Sequence, residues 1–384
     1  MKCDTVKLGE YLYIKGRIGW KGLKKSEYLN NGAYRIINGE TLTNDGINWD
    51  KAGYITQQRY DESPEIMLQE DDILISKDGT IGKIGYVKEL DMPTTVASGI
   101  FVIRNERPEL IDTGFIFHFL RSPYFKAFIE MRTEGSVIPH LYQKDFVDLD
   151  FPLYPLEVQK KIASILNLLD EKIALNKEIN KNLYEQMLAI FDNAKRTSSW
   201  HAHKLSDVLT FFDNLRKPLS SIQRAKMTHI YPYYGATSIV DYVEDYLFDG
   251  TYILISEDGA NVVDASGHPL TQYTYGKFWV NNHAHIVKGT SDYSNALIYA
   301  ILGTLNMQSI VTGAAQPKIN QANLRNFETA LPENEEAQIL SSILNPMFQQ
   351  MIYHDQENEN LSALRDTLLP QLMSGDFDVS DIDL

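Results

Sequence analysis

The chain has 384 residues, of which 43% are apolar and 11% aromatic, a composition typical of an ordered globular protein and unlike that of a disordered chain. Its length predicts two or three domains, each large enough for its own core. No run of about 18 apolar residues occurs and Met1 to Asp4 includes no apolar signal stretch, so we expect neither a membrane span nor export. The one cysteine, Cys3, excludes an internal disulfide and suits a reducing cytoplasm, where we expect the protein to act.

The net charge of −15 argues against a nucleic-acid partner, but the distribution of the charge does not. From Glu328 to Leu384 the chain carries 12 acidic residues and one basic residue, so most of the acidic excess lies there. Residues 1–35 instead hold eight Lys and Arg against three acids. Because phosphate contact depends on local potential, DNA binding by the globular parts remains allowed, and a solvated loop is the alternative for the basic run from Lys15 to Lys25.

Short strand-like runs and long helical runs alternate along the chain. Residues 1–155 contain apolar runs such as 72–76 and 100–103, which Gly and Asp or Asn turns separate. The same kind of run returns after the first helix, for example at 252–256. The predicted domains are a first globular region at 1–155, a long helix at 156–196, a second globular region at 197–333, a second long helix at 334–375 and an acidic tail at 376–384.

Both helical segments carry the same heptad pattern, 178 residues apart. Side chains spaced alternately by four and three lie along one side of a helix and form a seam. The first seam consists of Ile162, Leu166, Leu169, Ile173, Asn176, Asn180, Leu183, Met187 and Ile190. The second consists of Leu340, Leu344, Met347, Met351, His354, Asn358, Leu361, Arg365 and Leu368. The polar residues in the middle of each seam predict that the helices pair and that these residues fix register and partner.

The globular regions repeat as well. Residues 73–79 match 253–259, a strand that enters an Asp-Gly turn, and residues 135–141 match 313–319. Ordered matches at nearly constant offset predict a duplicated module.

Two prolines interrupt the second helical pattern. Because proline lacks the amide proton and clashes with the preceding turn, we expect a short helix near 335–344 and a break or kink at Pro346. A long helix should then start at Pro346, with Asn345 as its N-cap, and should kink or end at Pro370.

Signals for catalysis are weak. Two His-x-His pairs, at 201–203 and 283–285, fit ordinary surface or turn roles better than a metal site. The glycine-rich run 79–85 lacks the phosphate-loop pattern and precedes no long helix, so a strand bend is favoured. The run 345–348 resembles an amino-methyltransferase motif, but it lacks the second proline and opens a heptad helix. We therefore predict no catalytic residue, no cofactor and no metal in this chain.

Polar loops offer better signals for recognition. Gln, Asn, Lys and Arg side chains recognise base edges, and loops expose such groups. The candidate DNA-binding residues are Lys15, Arg17, Lys21, Lys24, Ser136, His140, Gln143, Lys144, Tyr233, Gln316, Lys318, Asn320, Gln321 and Asn323. Core or loop packing is the alternative for the tyrosine, and an ordinary polar loop is the alternative for the others.

Several stretches resemble the DNA-specificity (S) subunits of type I restriction-modification systems, over essentially the whole chain. The matching stretches are 18–23, 152–163, 168–176, 232–236 and 364–375. The stretches beside the helices are the specific ones, because the recognition domains of this family vary. The chain departs from the family pattern at Pro346 and at 330–335, which lacks the double-proline approach formed by Pro152 and Pro155.

The resemblance implies an α+β fold with two globular, α/β-mixed target recognition domains, separated by two long antiparallel coiled-coil helices, and an internal pseudo-two-fold repeat. It implies a noncatalytic subunit that recognises a bipartite, asymmetric site in double-stranded DNA. Two modification (methyltransferase) subunits would dock on each chain and restriction subunits would join them. These partners would bind AdoMet, methylate adenine N6 and drive ATP-dependent translocation. The helix from 162 to 190 would span roughly 43 Å at about 1.5 Å per residue. One duplex turn is about 34 Å, so the helix would place the two recognition domains a turn or so apart on one face of the DNA.

Two other kinds of protein remain as alternatives. A structural adaptor would organise other proteins through its helices and acidic tail, without any preference for DNA sequence. An enzyme with a divergent methyltransferase or nuclease site is the second alternative, against which the missing AdoMet loop and metal cluster count.

Overall fold

The structure, a computed structural model, describes residues 3–18, 22–43, 46–133, 140–313, 315–379 and 382. The chain divides into two compact units. The first unit combines Met1–Ile173 with Glu359–Leu384, and the second unit is Ala174–Asn358. Both long helices are cut by this division, so each helix contributes one part to each unit.

The first globular region is built from short strands and short helices. Its strands are β1 (Asp4–Lys7), β2 (Leu12–Gly16), β3 (Tyr34–Ile37), β4 (Leu42–Thr43), β5 (Gly46–Ile47), β6 (Gly53–Ile55), β7 (Ile73–Ser76), β8 (Ile84–Tyr86), β9 (Thr94–Val96), β10 (Ile100–Asn105) and β11 (Asp150–Leu153). Its helices are α1 (Gln57–Asp61), α2 (Thr113–Leu120) and α3 (Pro123–Thr133).

The main sheet of this region has the antiparallel order β2-β10-β7-β8. Strand β7 is buried along its whole length, because both faces of the sheet are covered. Ile73 and Ile75 face the core that contains Phe115 of α2, while Leu74 faces a second core, as the alternation of a strand requires. Strand β1 pairs with β11, β4 pairs with β5, and β6-β3-β9 form a smaller sheet.

The long helix α4 (Leu156–Thr197) follows, and a second globular region comes after it. The strands of that region are β12 (His201–Lys204), β13 (Leu209–Phe211), β14 (Tyr231–Tyr234), β15 (Ile239–Val243), β16 (Phe248–Asp249), β17 (Tyr252–Ser256), β18 (Thr271–Thr274), β19 (Lys277–Val280), β20 (Ala284–Gly289) and β21 (Glu328–Leu331). Its helices are α5 (Leu205–Val208), α6 (Ser221–Arg224), α7 (Asn295–Thr304) and α8 (Gln321–Asn326). The second long helix is α9 (Asn334–Ser374).

The sheet topology of the second region repeats that of the first. The order β13-β20-β17-β18 corresponds to β2-β10-β7-β8, and the pair β12-β21 corresponds to β1-β11. The peripheral sheets differ, since the second region has four strands in the order β15-β14-β19-β16 where the first has three. The predicted α+β class with an internal repeat is therefore confirmed.

The two long helices pack along their seams in each unit. Every seam residue of α4 and α9 is buried or half-buried. In the first unit Ile162 and Leu166 lie in one core with Leu372, and in the second unit Met187 lies in one core with Leu344. The direction is antiparallel within each unit. In the first unit Tyr154 contacts Met373 and Asp170 contacts Arg365, and in the second unit Asn176 contacts Asn358 and Ser198 contacts Glu336.

A break at Pro346 and an end of the helix at Pro370 are both contradicted by the structure. Helix α9 continues through both prolines and ends at Ser374. Both prolines are exposed, so each removes one backbone hydrogen bond on the solvent side while the buried side of the helix stays packed. The stop comes from Gly375, whose φ of +78° is the left-handed conformation that favours glycine after a helix.

The acidic tail is anchored to the first unit. Val379 is fully buried in the core that contains Leu372 and Phe151, and Ile382 packs against the same core. Val379 and Ile382 therefore dock on the first unit, while Asp376 and Asp378 are exposed. Among the helices of the described residues, none has the length and apolar content to cross a membrane.

Candidate nucleic-acid interface

The Asp-Gly turns of the two repeats hold the two predicted recognition loops by the same backbone contacts. In the first unit Asp78 forms a β-bridge with His140, and the N–H of Leu141 donates to the carbonyl of Lys77 at 3.1 Å. In the second unit Asp258 forms a β-bridge with Lys318, and the N–H of Ile319 donates to the carbonyl of Glu257 at 2.9 Å. Both loops are thus fastened at the end of a central, buried strand.

In the first unit the loop presents His140, Gln143 and Lys144 close to one another. The His140 ring pairs with the Asp78 carboxylate through Nδ1, and its centroid lies 4.4 Å from that of Tyr142. Gln143 and Lys144 are exposed in a short 3-10 turn, with Lys144 Nζ 5.4 Å from the Tyr142 ring centroid. Ser136 lies outside the described residues.

In the second unit the loop residues divide into exposed and engaged groups. Gln316 is exposed, whereas Lys318 Nζ lies 2.9 Å from Glu257 Oε1. The Gln321 side-chain amide donates to Asp213 Oδ2 at 2.7 Å. Asn320 caps α8 by accepting from the Asn323 N–H at 2.8 Å, so its side chain has a local structural role. Asn323 also donates to the carbonyl of Ile310 at 3.4 Å.

A half-buried cluster of charges lies beneath this second loop. Burial raises the pKa of Asp213, but the hydrogen bonds from His285 and the Ile286 N–H, together with the nearby charges of His285 and Arg216, outweigh it and lower the pKa. Burial likewise raises the pKa of Glu257, and hydrogen bonds from Arg216 and Lys318 outweigh it and lower the pKa. Arg216 Nη1 donates to Glu257 Oε2 at 2.6 Å. The cluster therefore pairs its own acids with its own bases.

The acids and the histidine of this cluster also meet the spacing of a metal site. One ligand atom each of Asp213, Glu257 and His285 lies within 4.8 Å of the others. Arg216 and Lys318 occupy the carboxylate of Glu257, however, and two cations beside a metal ion would repel it. An ion-pair cluster fits these contacts better than a metal centre does.

The structure corrects the predicted DNA contacts of Arg17 and Tyr233. Arg17 is 2% exposed and donates to the carbonyl of Val96 at 3.1 Å, and its burial lowers the pKa of the guanidinium. Tyr233 is 1% exposed, and its hydroxyl accepts from the N–H of Leu219 at 2.9 Å. Both side chains serve internal hydrogen bonds, so we leave them out of the interface proposed below.

The remaining basic candidates lie nearer the surface. Lys24 is exposed, and Lys15 is half-buried with Nζ 5.7 Å from the Tyr13 ring centroid. Lys21 lies outside the described residues. Asp78, Asp258 and His283 are not among the residues predicted from the sequence. The His283 ring contacts Asp258 Oδ1 at 2.5 Å. The signal that could have found the aspartates was present, because the Asp-Gly turn is itself part of the repeat.

Polar side chains fill the middle of the seam in the second unit. Asn176 Nδ2 donates to Asn358 Oδ1 at 2.9 Å, and Asn180 Oδ1 lies 2.8 Å from His354 Nδ1. Asn180 Nδ2 also donates to Asp355 Oδ1 at 3.0 Å. These hydrogen bonds form only in one alignment of the two helices, so they fix the register.

Charged side chains join the helices to the globular region in the first unit. The Asp170 carboxylate of α4 contacts Arg121, at the end of α2, and Arg365 of α9 at 2.8 Å. Burial raises the pKa of Asp170, but the hydrogen bonds from the two arginines outweigh it and lower the pKa. His118 of α2 is buried beside them, with Nε2 2.8 Å from Asn167 Oδ1, and its burial lowers its pKa to about 4.

Two similar α+β modules with equivalent loop contacts, joined by long helices, place the chain in the class of internally duplicated α+β proteins. The family described as Type I restriction modification DNA specificity domain matches residues 2–185 and 197–363. The chain belongs to this family of DNA-specificity subunits of type I restriction-modification systems.

Individual relatives are similar to different extents. The MjaIX specificity subunit of Methanocaldococcus jannaschii is 21% identical over 83% of this chain and 82% of its own length. A protein of Haemophilus influenzae described as a type I restriction enzyme specificity subunit is 35% identical over 33% of this chain, and the match spans 32% of that relative. The crystal structure of an S subunit from M. genitalium has a TM-score of 0.54 at 16% identity, covering 97% of this chain and 96% of that one, and so supports the fold.

Proposed function

We propose that this chain determines the DNA sequence at which a type I restriction-modification complex acts. Each globular region recognises one half of a bipartite, asymmetric site, and the helix pair holds modification subunits, two per chain, which restriction subunits join. The chain itself contributes recognition and positioning, and the partners contribute the chemistry.

The observation that carries this proposal is the matched fastening of the two loops. Backbone contacts to Lys77 and to Glu257 are equivalent, yet the side chains that the loops present differ. The first loop carries His140, Gln143 and Lys144, and the second carries Gln316 and Lys318. A backbone frame shared by both loops, with different side chains on each, is what two half-sites of different sequence require. Amide and ammonium groups on such loops suit hydrogen bonds to base edges and phosphates.

Docking of partner subunits is supported by apolar side chains that lie off the seam. Leu168 and Leu364 are exposed in the first unit. Leu175, Ile339, Ile343 and Tyr353 are exposed in the second. Exposed apolar side chains at helical spacing fit amphipathic helices of another protein. We therefore assign the outer sides of α4 and α9 to the modification subunits.

The packing of the acidic tail counts against the structural adaptor as an alternative. An acidic segment that organises other proteins should be free to contact them, whereas Val379 is buried in the first unit. The recognition loops have no role in an adaptor.

Selection from random duplexes tests the proposal. The chain, assembled with its modification subunits, would be incubated with a pool of random DNA, and the bound duplexes sequenced. Enrichment of two different short segments at a fixed separation is expected. Binding without any enriched sequence, by a complex that still methylates DNA, would favour the adaptor.

A further inference from the structure

His285 lies in β20 directly beneath the second recognition loop, and its ring is buried. Nε2 is 2.8 Å from the carbonyl oxygen of Ile319, and Nδ1 is 2.6 Å from Asp213 Oδ2. A carbonyl oxygen and a carboxylate oxygen both accept, so an imidazolium ring, with a proton on each nitrogen, satisfies both contacts. The lowered pKa of Asp213 keeps that carboxylate ionised near neutral pH.

The same cluster contacts the loop at two further points. Glu257 holds the Lys318 ammonium, and Asp213 holds the Gln321 amide. Three groups of the loop are therefore held by buried charged side chains: the Lys318 ammonium by Glu257, the Ile319 carbonyl by His285 and the Gln321 amide by Asp213. Charge-assisted hydrogen bonds of this kind are stronger than neutral ones and set geometry as well as energy.

The first unit fixes its loop by different chemistry at the same place. Phe101 pairs with Ile75 across the main sheet, and His285 pairs with Ile255, so the two residues are equivalent in the repeat. Phe101 packs edge-on against Phe146, with ring centroids 6.2 Å apart, and Phe146 belongs to the turn that carries Gln143 and Lys144. An aromatic contact replaces the ion cluster there.

We propose that His285 is a positioning residue that determines specificity for the second half-site, by holding the Ile319 carbonyl and with it the loop that presents Gln316 and Lys318. This inference rests on the proposed function. A loop held before DNA arrives loses less conformational freedom on binding, and its side chains discriminate between bases more sharply. Without the imidazolium, the loop should still bind DNA but should tolerate altered base pairs in its half-site.

Three variants test this in the assembled complex with modification subunits. His285→Phe copies the equivalent residue of the first unit and removes both hydrogen bonds. His285→Gln keeps an amide that can donate to Ile319 or to Asp213. His268→Gln is the control, because His268 also pairs with a carboxylate, that of Asp264, away from the loop. Methylation rates would be compared on duplexes with an intact site, an altered first half and an altered second half.

We expect His285→Phe to lower discrimination at the second half-site about tenfold, which corresponds to ~1.4 kcal/mol. His285→Gln should lower it to an intermediate extent, about threefold, and His268→Gln should not change it. Discrimination at the first half-site should stay at the wild-type level in all three. A generally unstable domain would not produce this graded, one-sided loss.

Unchanged discrimination in His285→Phe, or equal loss at both half-sites, would overturn the inference. If His285→Phe does not fold, His285→Gln decides alone, since a loss confined to the second half-site supports the inference and no loss overturns it. Failure of the proposed function is distinguishable, because the wild-type complex would then show no split site at all.

Discussion

Asn176 of α4 donates its side-chain amide to Asn358 Oδ1 of α9 at 2.9 Å, in a seam that is otherwise largely apolar. Replacing Asn358 by leucine removes one of the two acceptors of the buried Asn176 amide and leaves only Glu357 Oε2, at 2.7 Å. We expect Asn358→Leu to lower the free energy of unfolding by about 1–2 kcal/mol. Urea unfolding would measure this. Asn360→Leu, at an exposed position of the same helix, should change stability by less than about 0.5 kcal/mol. Equal effects of the two changes would contradict a role for the buried pair.

Adjacent leucines of α4 separate helix pairing from partner docking. Leu169 is half-buried in the seam and Leu168 is 56% exposed. Leu169→Asp places a charge in the seam, so it should destabilise the protein by about 2–4 kcal/mol and abolish recognition of both half-sites together. Leu168→Asp should leave the unfolding midpoint nearly unchanged but weaken assembly with modification subunits. Urea unfolding would measure the stability of both variants, and titration by analytical ultracentrifugation would measure their assembly with modification subunits. A Leu168→Asp chain that assembles normally would disprove the docking surface.

Lys318 should act on the second half-site alone. Its ammonium is partly exposed beside Glu257, so Lys318→Ala removes a charged contact without opening a cavity. Binding should weaken, and discrimination at the second half-site should fall by about 1–3 kcal/mol if the ammonium contacts a base. If it contacts a phosphate instead, the salt dependence should decrease by about one unit of slope. Lys144→Ala is the matched change in the first loop and should affect the first half-site. An unaltered site preference and affinity for Lys318→Ala would show that this loop is misplaced.

His118 should make the first unit less stable in mild acid. Burial lowers its pKa from the usual 6.5 to about 4, so between these values the unfolded chain binds the proton and the folded chain does not. Stability is therefore fully present above about pH 6.5 and falls as the pH decreases toward 4, by about 2 kcal/mol between pH 7 and pH 5. His118→Gln should flatten that part of the pH profile in urea unfolding. His201→Gln, at an exposed position, is the control and should keep the wild-type slope.

The sequence pattern predicted the helices and the repeat, because both depend on the spacing of residues that are close together in the chain. The 4-3 spacing from Ile162 to Ile190 sets a seam whatever the rest of the chain does. The fate of Pro346 was not predictable in this way. Whether a helix continues through a proline depends on whether the carbonyl that loses its backbone donor can reach solvent. The side of α9 that packs against the protein decides this.

The recognition residues were predicted less well, because burial depends on distant partners. Arg17 looked like part of a basic loop, but its hydrogen-bond acceptor, Val96, is 79 residues away. The cluster beneath the second loop likewise draws Asp213, Glu257 and His285 from three separate segments. No single window of sequence holds such a site. The Asp-Gly turns, by contrast, are recognisable from the sequence repeat alone.

A map of N6-methyladenine in host DNA would show directly whether this chain sets the methylated sequence. Cells would carry the modification subunit with this chain, without it, or with Lys318→Ala. We predict a split, asymmetric methylated motif that requires the chain, and a relaxed second half when Lys318 is changed. Methylation at the same sites with and without the chain, by a complex shown to be assembled and active, would contradict it.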